Sequence, residues 1–240
     1  MQPDLLDGIK RILAIAAHPD DLDFMAGGSV AWWTAAGIEV TYGVVTSGEA
    51  GAPDPIVDQA ELARTRQREQ RASADLLGVR DVVFLGYPDG RVEPTLALRR
   101  DLARLIRKVR PQRVVCQSPE RNYTRIYASH PDHLATGEAT LRAVYPDSRN
   151  HFAHPELAAE GLEPWTVPEV WLAPVPAADH YVDITGTFAT KLAALRCHAS
   201  QIADPTGIEA VIRNWAGGVA AGAGLAEGRL AEGFLRVPTV

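Results

Sequence analysis

Ile12-Leu13-Ala14-Ile15-Ala16-Ala17-His18-Pro19-Asp20-Asp21 is the stretch on which the fold of this chain turns. Six apolar residues in a row, without alternation, fit a strand buried on both faces, as in the middle of a parallel sheet. The four polar residues that follow open a helix. A near copy of them, His130-Pro131-Asp132-His133, comes after a second apolar stretch, Arg113 to Gln117, and again opens a helix.

Between and beyond these two junctions, strand-like and helix-like segments alternate. Gly27-Gly28-Ser29 leads into a helix closed by Gly37, and Val40 to Thr46 reads as the second strand. Glu61 to Leu77 is an amphipathic helix stopped at Gly78, and Val82 to Leu85 is the third strand. Thr95 to Val109 carries Leu96, Leu98, Leu102, Leu105 and Ile106 on one face and arginines on the other, and ends before Pro111. Further strands are expected at Val170 to Leu172 and Tyr181 to Ile184, with a helix from Phe188 to about Ser200. The Pro-, Glu- and His-containing stretch of residues 146–168 reads as an irregular excursion that shapes the pocket or a subunit contact, and Ala216 to Gly228 as a mobile segment.

Such alternation implies parallel strands joined by right-handed helical crossovers. The expected class is α/β: a Rossmann-like, doubly wound, mostly parallel sheet with helices on both faces, in one domain over residues 1–240. In the strand order 3-2-1-4-5, strands 1 and 4 are neighbours whose connections leave in opposite directions, and ligands bind in the crevice at their carboxyl ends. The two His-Pro-Asp junctions follow strands 1 and 4, so they are expected to meet.

The totals agree with a soluble domain. The chain has 240 residues, 46% of them hydrophobic and 22% charged, enough to bury a core without staples. A net charge of −6 leaves no footprint for nucleic acid or an anionic membrane. Cys116 and Cys197 read as reduced thiols. Met1 to Lys10 lacks the basic start and apolar core of a secretory signal. No run approaches the ~18 apolar residues needed to span a bilayer. A cytoplasmic location is expected.

Read alone, Asp20 or Asp21 could simply cap a helix, as aspartate does well. The repeat of the His-x-x-ligand spacing in the second junction argues instead for a metal site. Two histidines and a carboxylate leave one position open, the pattern of a catalytic zinc centre. His18, Asp21 and His133 are the expected ligands. Asp20 is then the general base for a water that zinc acidifies. His130 presents its imidazolium to the developing oxyanion or protonates the leaving nitrogen, and Asp132 completes the catalytic group by orienting a histidine and keeping it charged.

These residues resemble the LmbE-like, or PIG-L-type, zinc-dependent N-deacetylases. The likeness extends through Thr46-Ser47-Gly48-Glu49-Ala50-Gly51, through Arg66, Glu69 and Leu77-Gly78, and through Leu85-Gly86-Tyr87-Pro88-Asp89-Gly90. It continues in Val182-Asp183-Ile184-Thr185, Lys191, Ala194-Leu195, His198 and Ser200-Gln201. The resemblance implies a Rossmann-like fold, zinc, and removal of an N-acetyl group from an N-acetylglucosamine-type sugar or glycoconjugate. By the same resemblance Arg66 and Asp89 would contact sugar hydroxyls, and homo-oligomers are common; His198, read by itself, is a structural helix residue rather than part of the pocket. The chain departs from the pattern at Asp23, where glutamate is usual. It departs again at Ala128, beside Tyr127, where the mycothiol-pathway branch carries tyrosine.

Other classes fit less well. A related zinc amidase acting on a thiol conjugate or an acylated natural product shares the chemistry. A dinucleotide oxidoreductase would carry Gly-x-Gly-x-x-Gly after strand 1, and a serine hydrolase a Gly-x-Ser-x-Gly elbow. A non-catalytic sugar-binding protein has little use for Asp20 beside a metal.

Overall fold

The computed structural model describes residues 6–52, 56–123 and 126–240, leaving aside the side chains of residues 127 and 128, so the Tyr127 and Ala128 positions lie outside the described side chains. In chain order the elements are β1 (Arg11–Ala16), α1 (Asp21–Ala35), β2 (Glu39–Thr46), α2 (Gln59–Leu76), β3 (Asp81–Tyr87), α3 (Leu96–Val109) and β4 (Arg113–Cys116). Then follow α4 (Pro131–Val144), α5 (Pro155–Ala159), β5 (Glu169–Leu172), β6 (His180–Asp183), α6 (Phe188–Leu195), α7 (Ile208–Gly222) and β7 (Ala231–Pro238).

The sheet order is β3-β2-β1-β4-β5-β7-β6. The first five strands are parallel and stand in the expected 3-2-1-4-5 order; β7 runs antiparallel to both β5 and β6. β1 lies in the middle, where its side chains serve two cores by turns. Ile12, Ala14 and Ala16 face a cluster with residues of α1, α6 and α7, whereas Leu13 and Ile15 face one with residues of α3 and α4. A strand buried on both faces has no use for polar alternation, which is why this stretch is uniformly apolar.

Four expectations change. The first helix opens at Asp21, as the His-Pro-Asp-Asp junction implies, and Gly27 and Gly28 sit inside it instead of leading into it. Their place is set by packing: a Cβ at Gly28 would come within 2.7 Å of Ile184. α6 ends at Leu195, and the following turn aims the His198 side chain inward. Most of the Ala/Gly-rich stretch is the helix α7, which buries Ile212, Ala216 and Ala220 at a spacing of four and packs on β7, a strand hidden in the sequence by Glu232 and Gly233. Low propensity is overridden there by burial.

The excursion at 146–168 packs away from the crevice. Arg107 of α3 donates to the carbonyls of Asp147, Ser148, Asn150, Ala153 and Leu162, and Trp165 Nε1 donates to Pro111 O at 2.7 Å, beside the amino end of β4. Its contacts therefore lie at the end of the sheet opposite to the His-Pro-Asp junctions. Among the described residues, no helix is long and apolar enough to cross a membrane.

α4 approaches the end of β4 through Gly137, one turn after His133. A Cβ there would stand 2.3 Å from Gln117 O and 2.9 Å from Pro119 N, both backbone atoms that cannot swing aside. Gly137→Ala should therefore cost at least the ~1–3 kcal/mol of an overpacked core, lowering Tm by about 2–12 °C for a chain of this size. Thermal denaturation of the variant checks this.

Candidate metal centre

β1 delivers His18, Pro19 and Asp20 as the link to α1, whose first residue is Asp21. Asp20 occupies the N-cap position with φ 92° and ψ −33°, yet its side chain makes no capping bond. A non-glycine residue held there stores about 1–3 kcal/mol of strain. The cap reading of Asp20 thus fails on geometry, and the carboxylate is left for other partners. Arg66 supplies one: Nη2 donates to Asp20 Oδ2 at 3.2 Å and to Pro19 O at 2.8 Å.

Asp21 Oδ2 accepts from His18 N at 2.8 Å and from Gln117 Nε2 at 3.0 Å. Gln117, just past β4, also accepts Ala17 N–H through Oε1 at 2.9 Å. One buried amide therefore ties the ends of β1 and β4 together and aims Asp21. Sequence reasoning missed this role, although a polar residue directly after a central strand at the switch point is a signal for it.

At the second junction His130 is the N-cap of α4, and its Nδ1 accepts Asp132 N–H at 3.2 Å. Nδ1 must then be unprotonated. Partial burial, with His18 and His133 nearby, lowers the His130 pKa. With Nδ1 accepting, Nε2–H is the donor of the ring, and the direction of the shift runs against the imidazolium expected from the sequence.

The two junctions meet. His18 Nδ1 lies 3.2 Å from His133 Nε2, the Asp21 carboxylate is 3.3 Å from the former and 3.1 Å from the latter, and the chain separates the histidines by 115 residues. His130 also offers a ring nitrogen within 4.8 Å of those of His18 and His133. A tetrahedral dication with bonds of ~2.0–2.2 Å has ligand–ligand edges of about 3.3–3.6 Å. The spacing of the two imidazoles and the carboxylate fits such an ion.

The far edge of the His18 ring supports the same fit. Its Nε2 faces Asp89 Oδ1 at 3.0 Å and Asp132 Oδ2 at 3.3 Å. Backbone N–H groups fix both carboxylates: Gly90 N and Val92 N donate to Asp132 at 2.7 and 3.2 Å, and Ala50 N to Asp89 at 2.9 Å. Carboxylates at Nε2 fix the tautomer and leave Nδ1 as the ligand atom, the usual support of a metal-bound histidine. Burial disfavours a proton on His18, but bonds to Asp132, Asp21 and Asp89 outweigh it and push the pKa up to about 12. That field would equally favour a cation at Nδ1.

Asp132 therefore braces His18 and not His130. Asp89, expected on a sugar hydroxyl, is turned to His18 and the Ala50 amide. Arg66, expected there too, is 4% exposed, and its Nη groups are engaged by Gly48 O, Pro19 O and Asp20. Arg66 Nε has no hydrogen-bond partner among the described residues. Asp20 itself is pushed up to about 7, first by burial and then by the neighbouring Asp21, against the pull of Arg66. A carboxylate so placed both accepts and returns a proton near neutrality.

Comparison with known proteins places the chain in a family. Residues 13–144 match the model of the PIG-L family, described as GlcNAc-PI de-N-acetylase. This chain belongs to the PIG-L family. A diacetylchitobiose deacetylase from Thermococcus kodakarensis is 34% identical over 193 residues, covering 80% of this chain and 70% of the relative. The solved N,N'-diacetylchitobiose deacetylase from Pyrococcus horikoshii superposes with a TM-score of 0.90 at 31% identity, over 99% of this chain and 86% of that one. The solved 4-carboxy-2-hydroxymuconate hydratase GalB from Pseudomonas putida has a TM-score of 0.79 at 23% identity, over 97% and 98% of the two chains. That likeness shows the fold alone.

Titration with a divalent transition-metal ion should give about one ion per chain, and at a hundredfold excess over Kd should stabilise the fold by about 2.7 kcal/mol. In His133→Ala both the heat of binding and the rise in Tm should be lost.

Proposed function

We propose that this chain is a zinc-dependent hydrolase that removes the N-acetyl group from an N-acetylglucosamine-type sugar or glycoconjugate. The observation that carries the reading is the 3.1–3.3 Å convergence of His18, Asp21 and His133 beside an Asp20 that is free of capping duty. Family membership adds the substrate class: the family description and the Thermococcus relative both name an N-acetylated glucosamine unit.

In this reading His18, Asp21 and His133 hold zinc. The ion, when bound, lowers the pKa of a water and polarises a carbonyl oxygen. Asp20 takes a proton from the attacking water, and Arg66 holds that carboxylate in place from behind. The water oxygen bonds to the acetamide carbon, and the carbonyl pair moves onto oxygen. His130 donates its Nε2–H to the oxyanion as a neutral donor. Asp20 then passes its proton to the departing nitrogen as the C–N bond breaks, giving acetate and a free amine. Asp132 and Asp89 act through His18, by fixing its ring.

We read residues 1–240 as one domain with this activity, taking a small N-acetylated sugar as substrate. The thiols Cys116 and Cys197 are both free, which suits a reducing cytoplasm.

The test is release of acetate and free amine from N-acetylglucosamine and N,N'-diacetylchitobiose. Activity should vanish with a chelator and return with zinc. Asp20→Asn should keep the bound ion and lose about 10²–10⁴ in kcat. Full activity in that variant would remove Asp20 from the role of base.

A further inference from the structure

We infer that Gln70, a buried residue of α2 that touches none of the proposed ligand atoms, is a positioning residue for Asp20. The inference rests on the reading of Asp20 as the base, and it begins with the backbone of that residue. Asp20 is one of three non-glycine residues with positive φ among those described, and its φ of 92° is the largest. Something must hold it there.

The Asp20 N–H donates to Gln70 Oε1 at 2.8 Å. The other end of the same amide, Gln70 Nε2, donates to Asp23 Oδ2 at 3.0 Å. A backbone N–H only donates, so the Gln70 amide has one permitted orientation: oxygen towards Asp20 and NH₂ towards Asp23. Asp23 is itself fixed. Its Oδ2 accepts from Ser73 Oγ at 2.6 Å and His198 Nε2 at 2.6 Å, and its Oδ1 from Tyr42 OH at 3.3 Å. Gln70, Ser73, Asp23, Tyr42 and His198 are all fully buried.

Arg66, Gln70 and Ser73 stand at i, i+4 and i+7 on α2, where a helix facing a core would place apolar residues. This polar stripe grips the first His-Pro-Asp junction at three points: Pro19 O and Asp20 Oδ2 through Arg66, Asp20 N through Gln70, and Asp23 through Gln70 and Ser73. The strained turn is thus held by the helix across from it, with His198 and Tyr42 locking the far side of the Asp23 carboxylate. Asp23, in this arrangement, orients the strut rather than reaching the pocket.

Gln70→Met keeps the volume and removes both bonds. Misplacing a proton-transfer group by a fraction of an ångström to an ångström lowers the rate steeply, so kcat should fall about ten- to a hundredfold. KM and metal content per chain should not change. In a crystal structure of the variant, Asp20 φ should leave the positive region. Ser73→Ala is the comparison: it removes one bond to Asp23 but leaves the Gln70–Asp20 link, so it should lower Tm and cost much less in kcat than Gln70→Met. Should Gln70→Met fail to fold, Gln70→Asn, which keeps the amide but shortens its reach, takes the same measurements. Unchanged kcat at position 70, equal losses of kcat in the Ser73 variant, or an Asp20 φ still near 92° would each overturn the assignment. A wild-type protein inactive on every N-acetylated sugar would count against the deacetylase reading instead, and the φ of Asp20 in the variant would still decide the role of Gln70.

Discussion

Everything at the site depends on the parallel pairing of β1 with β4, in which Ile12 to Ile15 lie beside Arg113 to Cys116. The two strands end level with each other, but the helices that follow pack on opposite faces. Leu22, Met25 and Ala26 of α1 enter one core, while Ala139, Ala143 and Val144 of α4 enter the other. The chain must diverge at that point, and the crevice between the diverging connections is where ligands bind in open α/β sheets. His18 and Asp21 enter it from one side and His133 from the other. Gln117 bonds to both Ala17 N and Asp21, which keeps the two strand ends in register with the donor set they carry.

Burying so many polar groups is tolerable because most of them are paired, Arg66 Nε and His198 Nδ1 being exceptions. The loops after β2 and β3 contribute backbone N–H groups of Ala50, Gly90 and Val92 to the Asp89 and Asp132 carboxylates, which then brace His18. α2 contributes a polar stripe instead of an apolar one. The result is layered: donor atoms at the centre, carboxylates fixing their rings, and amides and a guanidinium fixing the strained turn that carries Asp20. Each outer layer has little contact with the crevice, so its residues act on the chemistry through orientation.

The fold by itself does not choose the reaction, since a hydratase has a similar chain path at 23% identity. Amide hydrolysis is favoured by the donor set and by membership of a family described as GlcNAc-PI de-N-acetylase. His130, capping α4 through Nδ1, also bears on the electrostatics. Its Nε2–H remains a directional donor, but a positive charge at that position is opposed by His18 and His133 and by partial burial.

Much of this was legible in the chain alone. The apolar run of β1, the paired His-Pro-Asp motifs and the alternation of elements gave the parallel core and its strand order, because burial on two faces and crossover handedness leave few alternatives. The Ala/Gly-rich α7 and the strand β7 were not legible, since what stabilises them is packing on each other and on α1, not local propensity. The sequence likewise named His18, Asp20, Asp21 and His133 as chemically apt, by residue type and spacing. It could not say which way a side chain turns. Only the tertiary structure decided that Asp89 and Asp132 face His18, that Arg66 is spent on Pro19, Gly48 and Asp20, and that Gln70 and Asp23 meet beneath the turn. Those outcomes depend on bonds between residues roughly 20 to 175 positions apart, and a hydrogen bond exists only once folding has set its distance and angle.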